Sequence, residues 1–149
     1  MLLKGSCHCR AVRFSVESET PYPYLWCYCS ICRKTAGGGG YAINIMGKAE
    51  TLKVKGRTRI YKARPSWGER HFCGNCASAL WVWDKRWSQW VYPFAAAIDT
   101  PLPVPRERQY MFLDSKPNWV EVPKRGKHFR EFPREAIIDW HRNRRLLVR

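Results

Sequence analysis

The sequence predicts a mainly β protein with a short C-terminal helix. Runs with apolar residues at every second position predict strands, turn-forming residues separate them at close intervals, and a proline-led helical pattern occurs near the end. The first strand signal is Val12, Phe14 and Val16, three apolar residues on one side of an extended chain. Further β-rich runs follow at Tyr41 to Ile45, Thr51 to Lys55, Thr58 to Ala63, Ala79 to Asp84 and Trp90 to Ile98. Pro21 and Pro23, Gly47-Lys48, Lys55-Gly56-Arg57 and Pro65 to Gly68 are the expected turns, close enough together to imply antiparallel hairpins. Gly37 to Gly40 predict a loop too short to divide domains. Beyond the punctuation of Pro101, Pro103 and Pro105, Tyr110 to Leu113 and Trp119 to Val122 are two short strand candidates around a turn at Asp114 to Asn118. The helix is expected from about Pro133 through Trp140 into an arginine-rich end, with Ile137, Trp140 and Leu147 giving it a buried face.

A chain of 149 residues, 45% hydrophobic and 14% aromatic, can enclose a core and is too apolar for a disordered polypeptide, so one domain over residues 1–149 is expected. Met1-Leu2-Leu3-Lys4-Gly5 meets a charge too early for a signal peptide, and no later stretch resembles a membrane span of about 20 apolar residues. The expected setting is the cytoplasm, where thiols stay reduced. Seven cysteines there point to metal or thiol chemistry instead of a disulfide framework. The 27 Lys and Arg against 12 Asp and Glu give a formal charge of +15, which suits a polyanion or a small acidic substrate equally well. No paired carboxylates and no Ser-His-Asp order support a hydrolytic mechanism.

The cysteines fall into three groups: Cys7 and Cys9, then Cys27, Cys29 and Cys32, then Cys73 and Cys76. Residues two apart on an extended chain face the same side, and C-x-x-C brings two sulfurs together across a tight turn, so every group can chelate. A structural zinc takes four protein ligands, whereas a catalytic zinc takes three and leaves one position free. A site joining distant strands contributes more to a fold than a local one, which favours Cys7, Cys9, Cys73 and Cys76 as the set of four. Cys27, Cys29 and Cys32 then form a soft three-sulfur site suited to a thiol. A single zinc with the trio idle stays open on spacing alone, as does substitution by His8 or His71, which lie beside ligand candidates. With both ions bound by thiolates, the net charge falls to about +12.

Order and spacing together resemble the glutathione-dependent formaldehyde-activating enzyme family, whose members include centromere protein V. The resemblance rests on Gly5-Ser6-Cys7-His8-Cys9, on Cys27-Tyr28-Cys29-Ser30-Ile31-Cys32-Arg33-Lys34 with the glycine run after it, and on Phe72-Cys73-Gly74-Asn75-Cys76-Ala77-Ser78. Asp114 to Val120 is similar to the family's C-terminal signature, so the likeness spans roughly residues 5–122 and leaves a basic extension at 123–149. It implies a β-tent fold of coiled antiparallel sheets with two Zn²⁺ per chain: a structural ion on Cys7, Cys9, Cys73 and Cys76, and a catalytic ion on Cys27, Cys29 and Cys32. It also implies a carbon–sulfur lyase in which the glutathione thiol adds reversibly to formaldehyde to give S-hydroxymethylglutathione. Arg33 and Lys34 are the candidates for orienting the carboxylates of glutathione or a similar acidic thiol. Two departures stand out: Ala77, where many members carry glycine, and the basic extension. The alternative reading is a zinc scaffold whose charge, including Arg142, Arg144 and Arg145, grips nucleic acid.

Overall fold

The computed structural model describes residues 1–149. Along the chain run β1 (Leu2–Ser6), β2 (Arg13–Glu17), β3 (Leu25–Cys27), α1 (Ser30–Thr35), β4 (Ala42–Ile43), β5 (Gly47–Lys48), β6 (Lys53–Lys55), β7 (Thr58–Ala63), β8 (Gly68–Cys73), β9 (Ala79–Trp83), β10 (Trp90–Pro93), β11 (Gln109–Met111), β12 (Lys127–His128) and α2 (Ile137–Asn143). They form three sheets, ordered β1-β2-β6, β5-β10-β9-β8-β7 and β12-β11-β3-β4. The architecture is mainly β, and no helix is long and apolar enough to cross a membrane.

The first hairpin pairs Leu2 with Glu17 and Ser6 with Arg13. This register turns Leu3, Phe14 and Val16 inward, all at or below 4% exposure, while Arg13 and Glu17 face water. With Val12, Ile45, Leu80, Trp81 and Val91 they make one core between the first two sheets. Burying such side chains contributes about 1.5–3 kcal/mol each. A second core joins Tyr24, Leu25, Ala42, Phe94, Met111 and Trp140 around the third sheet and the helices. The inner members of each cysteine group belong to a different core, Cys7 and Cys73 to the first and Cys27 and Cys32 to the second.

The third sheet departs from the antiparallel expectation. β11 runs parallel to both β3 and β12, because these strands come from distant parts of the chain and no hairpin dictates their direction. Trp119 to Val122 is not a strand: Lys116 Nζ donates to the carbonyls of Pro117 and Val120 and closes a compact turn that buries Val120 beside Tyr28 and Tyr110. Gly47-Lys48 is not a turn but a short strand on β10, with Gly47 leaving room for the Val16 side chain. The C-terminal helix begins at Ile137, not near Pro133, because Glu135 is drawn aside to bond Asn143 and Arg144.

Candidate metal centres

The first cluster is built from two turns that the sheets bring together. Cys7 follows β1 and Cys9 lies in the turn leading to β2; Cys73 ends β8 and Cys76 lies in the turn to β9. All four sulfurs lie within 4.8 Å of one another. Neutral donors surround them: Val12 N–H to Cys7 at 3.2 Å, Asn75 Nδ2 to Cys9 at 3.2 Å, and the N–H groups of Asn75 and Cys76 to Cys73 at 3.3 and 3.5 Å. The Asn75 amide holds the Cys9 thiol below its ordinary pKa, and Ser78 brings Cys76 down to about 5, whereas burial pushes Cys7 up to about 11. A set of soft sulfurs supported by N–H donors and drawn toward opposite protonation states fits a thiophilic cation.

The second cluster is local. Cys27 ends β3, Cys29 caps α1 by accepting the Cys32 N–H at 3.3 Å, and Cys32 sits in the first turn of that helix. Their sulfurs also lie within 4.8 Å of one another, with Cys27 and Cys32 buried. Hydrogen bonds from Cys27 and Cys32 draw the Cys29 thiol down to about 2, while sharing with Cys29 pushes Cys27 upward. Three sulfurs so close, two of them buried, cannot all carry charge without a cation, so this donor set also fits a metal ion. The four-plus-three division expected from spacing is therefore present in space. Neither His8 nor His71 joins a cluster: His8 is exposed, and His71 stacks on Trp81 while its Nε2 meets Glu69 at 3.3 Å.

Sequence reasoning missed Arg70. From β8, 38 residues from Cys32 in the chain, its two terminal nitrogens each donate to the Cys32 sulfur at 3.7 Å, and one also reaches Thr35 Oγ1 at 3.4 Å. Arg33 and Lys34 line a different cleft of about 670 Å³ together with Arg10, Gly37 and Gly38. None of the trio lines that cleft. A smaller cleft of about 240 Å³ lies against Arg70, and the two share Thr35, Ala79 and Phe94 on their walls. Phe112 packs against the trio's core with φ of 59°, a strained conformation for so bulky a residue.

The family model for the glutathione-dependent formaldehyde-activating enzyme matches residues 2–112. The chain belongs to this family. The match ends before Asp114 to Val120, so the proposed C-terminal signature lies outside it. A Halomonas elongata protein named "Putative glutathione-dependent formaldehyde-activating enzyme" is 58% identical over 149 residues, covering 95% of each chain. That coverage leaves about eight residues of this chain unmatched, so most of 123–149 is common to this family relative. A solved structure of a Rhodobacter sphaeroides protein shares 25% identity and a TM-score of 0.55, covering 67% of this chain and 91% of that one.

Proposed function

We propose that this protein is a zinc-dependent carbon–sulfur lyase that joins glutathione, or a similar acidic thiol, to formaldehyde and reverses the step. The observation that carries the reading is the contrast between the clusters: one has the four sulfurs of a closed tetrahedral site, and the other stops at three. Cys7, Cys9, Cys73 and Cys76 would hold a structural Zn²⁺, and Cys27, Cys29 and Cys32 a catalytic one. Bound at the trio, Zn²⁺ supplies a Lewis acid that favours the deprotonated form of a thiol. The thiol sulfur attacks the carbonyl carbon; a C–S bond forms, the carbon–oxygen π bond opens, and the oxygen takes up a proton to replace the one the thiol released. Arg33 and Lys34 orient the thiol's carboxylates from the wall of the larger cleft. The three sheets support a single domain over residues 1–149 of the β-tent type, and the need for reduced thiols places the reaction in the cytoplasm.

Two measurements test this reading. Native mass spectrometry of zinc-replete protein should find two zinc ions per chain. Exchange NMR with ¹³C-formaldehyde and glutathione should show faster interconversion of formaldehyde and S-hydroxymethylglutathione with the protein than without it. Cys29→Ser should abolish that acceleration while leaving one zinc in place. A two-zinc protein that does not accelerate the exchange would overturn the assignment.

A further inference from the structure

Hydrogen bonds to the seven sulfurs come from backbone N–H groups, neutral side chains and neighbouring thiols, with one exception: the Arg70 guanidinium on Cys32. This arginine is half-buried and pairs with no carboxylate. Its chain neighbour Glu69 points to the opposite face of β8, where it meets Lys62 and His71. The Cys32 sulfur and the neutral Thr35 hydroxyl are thus the side-chain acceptors that Arg70 reaches, and Arg70 Nε is left without a partner.

Charge counting explains why a guanidinium belongs at one cluster and not at the other. Around a divalent ion, four thiolates leave a net charge of about −2 and three leave about −1. The four-sulfur set is complete, and neutral donors suffice for it. At the trio, Arg70 brings the total to about 0, so that one more anion takes the site to about −1 instead of the about −2 it would reach without the guanidinium.

We infer that Arg70 is a specificity-determining residue that makes the three-cysteine centre prefer an anionic sulfur ligand, a thiolate, over a neutral ligand. The inference rests on the reading of the trio as a metal centre and adds the reason it takes a thiol. The cleft of about 240 Å³ beside Arg70 has room for the body of such a ligand next to the guanidinium, between Thr35, Tyr61 and Phe94; like the larger cleft, it is not lined by the trio itself. A brace for Cys32 alone would not discriminate between ligands by charge; a selecting cation would.

The test uses protein whose native ion has been exchanged for Co²⁺ as a spectroscopic probe. Two small ligands are titrated and followed by visible absorption: 2-mercaptoethanol, which binds as a thiolate, and imidazole, which binds neutral. Metal content is measured on every sample. Arg70→Gln should weaken 2-mercaptoethanol by at least about tenfold and change imidazole by less than about twofold, and Arg70→Lys should restore most of the thiolate affinity. Equal weakening of both ligands, or no change in either, would overturn the selecting role. Loss of cobalt from the trio in both variants would also overturn it, by assigning Arg70 to holding the cluster together. Failure of the wild-type cobalt protein to take up 2-mercaptoethanol would instead overturn the thiol-enzyme reading on which the inference rests.

Discussion

At the residue scale, Ala77 carries a cost written into the chain. It leaves the last cysteine pair with φ of 61° while its N–H donates to the Cys73 carbonyl at 3.0 Å. A side chain in that conformation costs about 1–2 kcal/mol, and glycine removes the strain at the expense of about 0.5–1 kcal/mol of extra chain entropy. Ala77→Gly should therefore stabilise the protein by up to about 1 kcal/mol, read as a higher urea midpoint at unchanged metal content. Residues of this kind divide the site into what was legible and what was not. The seven cysteines announced themselves because each group is local in sequence, whereas Ala77 was read only as a departure from the family pattern and its left-handed backbone emerged from the structure. Arg70 and Asn75 could not be paired with their sulfurs from spacing alone, since their contacts follow from which strand and turn lie beside which. Arg33 and Lys34 were read from adjacency to the trio, and the helix carries them past it onto the wall of the larger cleft.

Among the elements, α2 shows how the basic extension is fastened. Its Trp140 stacks on Tyr24 with ring centroids 3.6 Å apart and planes 5° from parallel, and Arg144 lies over the indole at 4.7 Å while it also pairs with Glu107 and Glu135. Truncating this indole in Trp140→Ala should cost about 3–5 kcal/mol in denaturant unfolding. Beside it, His141 is fully buried; its Nδ1–H donates to the Ile137 carbonyl at 2.8 Å, and its Nε2 accepts the Tyr22 N–H at 3.3 Å. Burial, assisted by the Arg144 charge, holds its pKa below the usual histidine value. The unfolded chain thus binds a proton that the folded one refuses, so this contribution is complete above about pH 6.5 and is lost as pH falls through that value toward the lower folded pKa. Urea midpoints between about pH 7.5 and 5.5 should decline, and the decline should be shallower in His141→Gln, with His71 supplying what remains through its own burial. Sequence reading succeeded for β7, whose Thr58–Ala63 run has its expected bounds, and for β2 and β9, which supply Phe14, Val16, Leu80 and Trp81 to the first core, but not for β1, which supplies Leu3. It passed over β8 because Gly68-Glu69-Arg70-His71 reads as polar loop, and over α1 because a six-residue helix capped by a cysteine lacks an apolar period. Pairing decided these elements, and pairing is a property of neighbours.

For the molecule as a whole, a formal charge of +15 need not mean a nucleic-acid partner, because the extension's most suggestive arginines are already engaged: Arg144 with two glutamates and Trp140, and Arg142 with Asp139. The two cysteine clusters differ more in what they do for the chain. The set of four bridges Cys9 and Cys73, 64 positions apart, and so ties the first hairpin to the five-stranded sheet. The trio spans six residues, from Cys27 to Cys32. Closing the longer loop removes about 2 kcal/mol more chain entropy from the unfolded state, and a cation bound there would also hold two sheets against one core. Loss of metal from the two sites should therefore have unequal effects. Cys9→Ser should lower the thermal midpoint by more than about 10 °C, whereas Cys29→Ser, the substitution that the proposed function expects to end thiol chemistry, should lower it by less than about 5 °C. Scanning calorimetry with metal analysis on both variants makes the comparison. Equal losses would mean that the trio also braces the fold, and a larger loss from Cys29→Ser would reverse the structural and catalytic roles assigned to the two centres.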